Sequence, residues 1–323
     1  MEGLARVYSA YTLRPDTSHP KTQPSAETRS FDHQLGWVTK PNFSAKIKGW
    51  NATVNTLPEG IRSNGKSPLR STSRPILAVG DSFTFGDKVE DQQTWPAFLE
   101  SQLALRAINA GVSGYGLDQS VLRARQLVDS IKPSLVILSL IDDDIERMSY
   151  SIFLGRSKPY VSYEHGIVKY HTDHLIDPIS NLNSPRMHRF ALYRLGEKLF
   201  QQVFNPRMAT LSPNFRSEDQ PLIACKLLQG LGSELSQRQI KFITLIQYAS
   251  DLENTHRSLK QCLDQEELEV IDTYDALSAL KHADPIAFAQ LYSGHMTAQG
   301  NEFVAKIVSE HLKSRIQSLW HKP

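Results

Sequence analysis

The chain has 323 residues, of which 40% are hydrophobic and 22% charged, and this composition excludes disordered, collagen-like and coiled-coil proteins. Its 36 Lys and Arg against 34 Asp and Glu leave a net charge of +2, which provides no basic face for nucleic acid. The expected partner is therefore a small molecule or a neutral polymer. The length is sufficient for a domain with a sizeable buried core.

The first 74 residues differ in composition from the rest. Residues 14–74 are rich in Pro, Ser, Thr, Asn and Lys, with scattered aromatic side chains. This pattern predicts that residues 1–73 are an N-terminal extension with short strands that packs on the following domain. The opening stretch, MEGLARVYSAYTL, lacks the apolar core of a signal peptide, and no window approaches the run of about 18 apolar residues that a membrane helix needs.

From residue 74 to about 318, buried strands alternate with amphipathic helices. Strands are predicted at 75–80, 107–110, 134–141, 242–248 and 268–273, and helices at 95–103, 121–131, 221–237, 251–263 and through 303–312. Strands separated by helices indicate βαβ units. The sequence therefore predicts an α/β fold, a three-layer αβα sandwich with a mostly parallel sheet.

Residues of about 150–220 interrupt this alternation. The segment PYVSYEHGIVKYH predicts a hairpin, and an amphipathic piece is expected around 190–204. We interpret the stretch as an insertion over the sheet edge that caps the site. It contains a scatter of metal-type side chains whose spacing follows no zinc pattern, and we interpret these as a surface cluster: His165, His171, His174, Asp173 and Asp177.

The two cysteines, Cys225 and Cys262, fall in different predicted helices and fit no metal-ligand spacing. We interpret them as two structural thiols. The alternative is one disulfide, which would require an oxidising compartment.

We expect four segments at the carboxyl ends of the strands, where an open parallel sheet binds its ligands: GDSFT at 80–84, NAGVSG at 109–114, DDD at 142–144 and GH at 294–295. A serine directly after a buried strand, combined with a late histidine, suits nucleophilic acyl chemistry. The histidine removes the hydroxyl proton, and donors at neighbouring strand ends hold the oxyanion. Ser113 is not such a nucleophile, because Tyr115 stands where a G-x-S-x-G turn requires glycine.

These segments resemble the conserved blocks of the SGNH (GDSL-type) hydrolase superfamily. ILAVGDSFTFG is similar to its first block, NAGVSGYG to the second, LIDDDIERM to the third and GHMTAQGNEFVA to the last, in order over residues of about 74–315. LGWVTKPN and EGIRSNG resemble the lead-in of bacterial envelope members. The resemblance implies a flavodoxin-like fold and an esterase that needs no metal or organic cofactor.

The resemblance also implies roles for individual residues. Ser82 would be the nucleophile and His295 its general base, and the backbone N–H groups of Ser82 and Gly114 would hold the oxyanion. Asp81 is the natural helix-capping residue. The third oxyanion donor of the family is an Asn side chain, and Asp143 occupies that position here.

Asp143 leaves two interpretations open. A charged carboxylate cannot donate and would repel the oxyanion, whereas crowding by Asp142 and Asp144 would raise an acid's pKa and allow a neutral, donating Asp143. The acidic run could instead be a solvated loop or a site for a divalent ion.

The acid that orients the histidine is also open. The family places an Asp two or three residues before it, positions that Ser293 and Tyr292 occupy here. Asp284, or Asp272 at the end of its strand, could act through space. Alternatively, a backbone carbonyl holds the imidazole and the site is a Ser–His dyad.

The sequence thus predicts a serine esterase, a carboxylic-ester hydrolase that deacylates, above all deacetylates, a carbohydrate or other small ester through an acyl-enzyme. One alternative is a glycan O-acyltransferase with the same nucleophile, and another is a catalytically degenerate glycan-binding protein. If an N-terminal anchor precedes the chain, we expect proximity to a membrane in the cell envelope or periplasm. If the chain is complete as given, we expect it in the cytoplasm.

Overall fold

The computed structural model describes residues 28–65, 73–177, 210–211, 219–250 and 253–313. The first 27 residues of the predicted extension and the amphipathic piece expected at 190–204 lie outside these ranges.

The described N-terminal segment, residues 28–65, forms two antiparallel hairpins: β1 (Arg29–Asp32) pairs with β2 (Gly36–Thr39), and β3 (Ser44–Ile47) with β4 (Ala52–Asn55). Its apolar side chains contribute to two small clusters that are completed by residues of the main domain. Trp37 packs with Val112 and Tyr115, and Trp50 packs with Phe85. The segment therefore buries its apolar surface against the α/β domain.

The first half of that domain alternates strands and helices in the predicted order. It contains β5 (Ile76–Val79), α1 (Ser82–Phe85), α2 (Trp95–Leu103), β6 (Ala107–Asn109), α3 (Leu117–Ile131), β7 (Leu135–Leu140) and α4 (Asp142–Arg147). Helix α3 ends at Lys132, which adopts a left-handed conformation immediately before Pro133. Proline cannot continue a helix, and so it sets this end as the sequence predicted.

The insertion begins with short antiparallel strands: β8 (Tyr150–Phe153), β9 (Arg156–Ser157), β10 (Tyr160–Glu164) and β11 (Ile167–His171), with β12 (Thr210–Leu211) pairing with β8. Strands β10 and β11 form the predicted hairpin. A fully buried ion pair attaches this part to α3, because Lys158 Nζ lies 2.7 Å from Asp118 Oδ2.

The second half contains α5 (Gln220–Gln237), β13 (Lys241–Ile246), α6 (Glu253–Gln265), β14 (Val270–Asp272), α7 (Tyr274–Ala283), α8 (Pro285–Leu291) and α9 (Ala298–Lys313). The central sheet has the order β14-β13-β7-β5-β6, and every pair in it is parallel. Helices flank the sheet, so the predicted three-layer α/β fold is confirmed. All six residues of β7 are buried, as expected for a strand covered on both faces.

The interpretation of the cysteines as two structural thiols is wrong, and the alternative of one disulfide is confirmed. Helices α5 and α6 pack side by side and bring the Cα atoms of Cys225 and Cys262 to 6.2 Å, within the range that a disulfide spans, and the two residues are bonded. Among the described residues, no helix is long and apolar enough to cross a membrane.

Candidate active site

Ser82 lies at the carboxyl end of β5, where a tight turn leads into α1. Gly80 makes that turn with φ +156°, and a Cβ atom there would lie 2.6 Å from the carbonyl oxygen of Ser139 on the neighbouring strand. Asp81 is the N-cap of α1, as predicted, since its Oδ1 accepts a hydrogen bond of 2.8 Å from the N–H of Phe83. Ser82 is thus the first residue of the helix, held on a turn that only glycine permits.

His295 comes from the loop between α8 and α9. Its Nε2 lies 3.0 Å from Ser82 Oγ, and its ring packs at 5.2 Å from the ring of Phe83. The loop is braced by the N–H of Ser293, which donates to the carbonyl of His295 at 2.9 Å. A neutral imidazole at this distance can accept the serine proton, which is the chemistry of an activated nucleophile.

The Ser82 hydroxyl has a second neighbour in Asp81. Ser82 Oγ donates to Asp81 Oδ2 at 3.1 Å, and the same carboxylate oxygen accepts from Arg147 Nη1, also at 3.1 Å. Arg147 therefore draws Asp81 into an ion pair and weakens its competition with His295 for the serine proton.

Arg147 also contacts the acidic run at 142–144, whose role the sequence left undecided. It bonds Asp144 Oδ1 at 2.7 Å and Asp143 Oδ2 at 3.0 Å. Burial lowers the pKa of Arg147, but the charges of Asp143, Asp144 and Asp81 outweigh it, and the net change is upward. Burial and the charge of Asp81 raise the pKa of the Asp144 carboxyl. Arg147 stands three residues after Asp144 and four after Asp143, a spacing that brings side chains together on a helix and could have indicated these contacts.

The acidic run is the first turn of α4, with Asp142 and Asp144 buried, so the solvated-loop interpretation is wrong. Asp143 is 37% exposed and accepts from Arg147. In that contact Asp143 Oδ2 is an acceptor.

Gly114 lies in the turn between β6 and α3. Its φ is +81°, and a Cβ atom there would lie 2.8 Å from Leu154 Cδ1 and 3.5 Å from Arg29 Nη2. Arg29 reaches this point from β1 and donates to the carbonyl of Ser113 at 3.2 Å. The described N-terminal segment thus contacts the turn that carries the predicted oxyanion donor.

Asp87, which the sequence reasoning missed, also lies at this edge. Its Oδ2 is 3.9 Å from His295 Nε2, and its Oδ1 accepts a hydrogen bond of 2.5 Å from Ser113 Oγ. No spacing rule relates position 87 to a histidine more than 200 residues away, so only the fold brings the two together.

Both acids that the sequence suggested for orienting His295 have other partners. Asp272 Oδ2 lies 2.9 Å from Nε2 of His256, whose ring stacks on Tyr274. Asp284 is the N-cap of α8, where its Oδ1 accepts from the N–H groups of Ile286 and Ala287. Asp272, at the end of β14, faces α6, and Asp284 caps the start of α8. Neither carboxylate therefore lies beside His295.

Two of the histidines named in the insertion, His171 and His174, also have local partners. His171 Nε2 lies 2.9 Å from Ser162 Oγ across the β10–β11 hairpin, and His174 bonds the carbonyl of Lys158 at 2.9 Å. Both rings pack on Tyr160. Outside the insertion, His256, Asp272 and Asp275 offer ligand atoms within 4.8 Å of one another, but the hydrogen bond between His256 and Asp272 already occupies two of those atoms.

A parallel α/β sheet of this order, with a serine and a histidine meeting at its carboxyl edge, is an arrangement that ester hydrolases use, and the family model makes the chain a carboxylic-ester hydrolase. More particularly, the chain belongs to the GDSL-like lipase/acylhydrolase family, whose model matches residues 76–308. The predictions of an ester hydrolase and of this family are thereby confirmed.

Solved structures to which the chain is similar include a lipase/acylhydrolase from Enterococcus faecalis, 14% identical, with a TM-score of 0.45, covering 75% of this chain and 96% of that chain. They also include a catalytic mutant of an acetylxylan esterase from Geobacillus stearothermophilus, 14% identical, with a TM-score of 0.43 over 76% of this chain and 96% of that chain. No curated protein matches the chain.

Proposed function

We propose that the chain is a serine esterase in which Ser82 is the nucleophile and His295 the general base. The observation that supports this most is the 3.0 Å separation of Ser82 Oγ and His295 Nε2, two atoms from residues 213 positions apart. They meet at the carboxyl edge of the sheet, where open α/β folds bind their ligands.

In the first half of the reaction, Ser82 Oγ attacks the acyl carbon of the ester while its proton passes to His295 Nε2. The tetrahedral intermediate then collapses, and the imidazolium gives that proton to the leaving alcohol oxygen. The products of this half are a free alcohol and an acyl group esterified to Ser82.

The developing oxyanion needs donors, and two are proposed. Ser82 begins α1, and the N–H groups of a helix's first turn have no acceptor within the helix. The N–H of Gly114, on the neighbouring turn, is the second. Because Asp143 accepts from Arg147, we assign it no donor role, and the loss of one such donor costs about 10²–10³ in rate in comparable sites.

In the second half, His295 Nε2 takes a proton from water as the water oxygen attacks the acyl carbon, and the imidazolium then returns that proton to Ser82 Oγ as the acid leaves. We propose an acetylated carbohydrate or another small ester as the substrate. An exported location agrees with the bond between Cys225 and Cys262, since disulfides persist in oxidising compartments.

The test compares two serines that have the same kind of neighbour. Ser162 Oγ lies 2.9 Å from His171 Nε2 in the insertion, which matches the distance of the proposed pair but lies away from the carboxyl edge of the central sheet. We expect Ser82→Ala to lower the hydrolysis of p-nitrophenyl acetate by about 10⁴-fold or more, and Ser162→Ala to leave it within about twofold.

A fluorophosphonate probe followed by peptide mass spectrometry should place the label on Ser82 in the wild type and in Ser162→Ala. Equal rates in Ser82→Ala and the wild type, with no label on Ser82, would contradict the proposal. Assays with an acetylated oligosaccharide and a second sugar then show whether the acyl group passes to water or to a sugar hydroxyl. Free acetate is expected, whereas an acetylated acceptor would make the chain a transferase.

A further inference from the structure

We propose that Asp87 is a positioning residue for His295, and that its carboxylate balances the positive charge which the imidazole gains during the reaction. This inference rests on the proposed function. It assigns to Asp87 the charge that the family takes from an acid just before the histidine, where this chain has Tyr292 and Ser293.

The carboxyl group of Asp87 is held in place from two sides. The residue follows α1 and its C-cap Gly86, is only 7% exposed, and accepts a hydrogen bond from Ser113 Oγ at 2.5 Å. The other carboxylate oxygen lies 3.9 Å from His295 Nε2. The group is therefore fixed between the Ser82–His295 pair and the turn that carries Gly114.

The position of Asp87 differs from that of the usual orienting acid. It faces Nε2, the nitrogen that would receive the proton of Ser82, rather than the opposite side of the ring. At 3.9 Å it acts through its electric field at the point where the positive charge forms. An opposite charge within about 4–6 Å favours the charged form of a titratable group, so an ionised Asp87 favours the imidazolium.

Several groups set the ionisation of Asp87. Burial raises its pKa to about 7; the hydrogen bond from Ser113 and the charges of Arg29 and Arg62 work in the opposite direction, and the charge of Asp81 adds to the increase. Near neutral pH the carboxyl group therefore responds to its neighbours. A positive imidazole beside it favours its ionised form, and the two groups titrate as a pair.

The test measures kcat and KM for p-nitrophenyl acetate between about pH 5 and 10, where the pair titrates. The variants are Asp87→Asn and Ser113→Ala, with Asp272→Asn as the control, because Asp272 is the carboxylate bound to a different histidine. Asparagine has the shape of aspartate and still accepts from Ser113, so this variant removes the charge with little change of volume.

We expect Asp87→Asn to lower kcat by about 10- to 100-fold with KM nearly unchanged. The acid limb of its profile of kcat against pH should move to lower pH by about one unit or more, because the loss of the negative charge beside the imidazole lowers the pKa of His295. In Ser113→Ala the carboxyl group of Asp87 loses the hydrogen bond that lowers its pKa, so a higher pH is needed to ionise it beside a neutral imidazole, and the limb should move to higher pH. The control should retain the wild-type profile.

An NMR titration of the His295 imidazole provides a readout besides activity, and its midpoint should be lower in Asp87→Asn than in the wild type. Fluorophosphonate labelling of Ser82 distinguishes failure of this inference from failure of the proposed function. If Ser82 is labelled but Asp87→Asn has the wild-type rate and limb, or becomes faster at high pH, this inference is overturned alone. If Ser82 in the wild type takes no label, the proposed function is overturned and this inference with it.

Discussion

Arg62 and Asp91 form a salt bridge from which solvent is excluded: Arg62 Nε lies 3.1 Å from Asp91 Oδ1, and the two side chains are 0% and 3% exposed. The same guanidinium donates to the carbonyls of Phe85 and Val89, at 2.7 and 2.6 Å. Arg62 belongs to the N-terminal segment, whereas Phe85 ends the helix that begins with Ser82. The segment EGIRSNG thus fixes the chain that follows the proposed nucleophile.

Replacing Arg62 by Met should lower the free energy of unfolding by about 3–5 kcal/mol, because it leaves a buried carboxylate without its counter-charge. The matched control is Arg238→Met, which breaks a bridge of 3.0 Å to Asp129 whose side chains are 49% and 80% exposed. That change should cost no more than about 0.5 kcal/mol. Urea unfolding measures both, and equal costs would show that burial does not set the value of the Arg62 bridge.

The disulfide should contribute measurably to stability. Cys225 and Cys262 are 37 residues apart. In the chain-entropy model, closing a loop of this size lowers the entropy of the unfolded chain and stabilises the folded state by about 3–4 kcal/mol. The double variant Cys225→Ser/Cys262→Ser should therefore have a clearly lower Tm, and dithiothreitol should lower the Tm of the wild type alone. A wild-type Tm that is insensitive to reductant and to the double substitution would contradict this.

The pair of His256 and Asp272 should make stability depend on pH. Burial lowers the pKa of His256, but the hydrogen bond and charge of Asp272, with the charges of Asp275 and Asp142, outweigh it, and the net change is upward. A raised pKa in the folded state stabilises the protein fully below the unfolded value of about 6.5, and that contribution is lost as the pH rises through the folded value.

Accordingly, Asp272→Asn should destabilise the chain by about 1 kcal/mol more near pH 5.5 than near pH 9. Urea unfolding at both pH values measures the difference, and ester hydrolysis at neutral pH should be unaffected. A strong loss of kcat in this variant would return Asp272 to the role that the sequence suggested for it.

Asp284 should matter for α8 and not for catalysis. As an N-cap whose Oδ1 accepts from two backbone N–H groups, it is worth about 1 kcal/mol relative to alanine. Asp284→Ala should lower the unfolding free energy by that amount, whereas Asp284→Asn, also a good cap, should retain most of it. Both variants should hydrolyse p-nitrophenyl acetate at the wild-type rate, and a shared loss of kcat would contradict the capping role.

The order of the α/β elements could be predicted because buried parallel strands and amphipathic helices have distinct periodicities. Strand β7 and helix α3 were found within a few residues of their observed bounds. Helices α4, α7 and α8 were missed. Their signals are weak, since α4 begins with three acidic residues and α8 has only seven residues, with Pro285 in its first turn.

The residues of the candidate site also divide into those that the local sequence indicates and those that only the fold brings together. Ser82, Gly114 and His295 follow strands or lie in a block resembling the family, so local sequence indicated them. Asp87 and Arg29 approach from a turn and from the N-terminal segment, and their proximity depends on how separate parts of the chain pack. The disulfide could be given only as the alternative to two thiols, because the packing of α5 against α6 decides whether two distant cysteines meet.

The proposed reaction depends on a covalent acyl-enzyme at Ser82, which rapid-quench mass spectrometry with p-nitrophenyl acetate can detect. We expect a burst of nitrophenol approaching one per chain, with an acetyl group on the peptide that contains Ser82 and none in Ser82→Ala. Steady hydrolysis without a burst, no acetyl group on that peptide, and an unchanged rate in Ser82→Ala would contradict it.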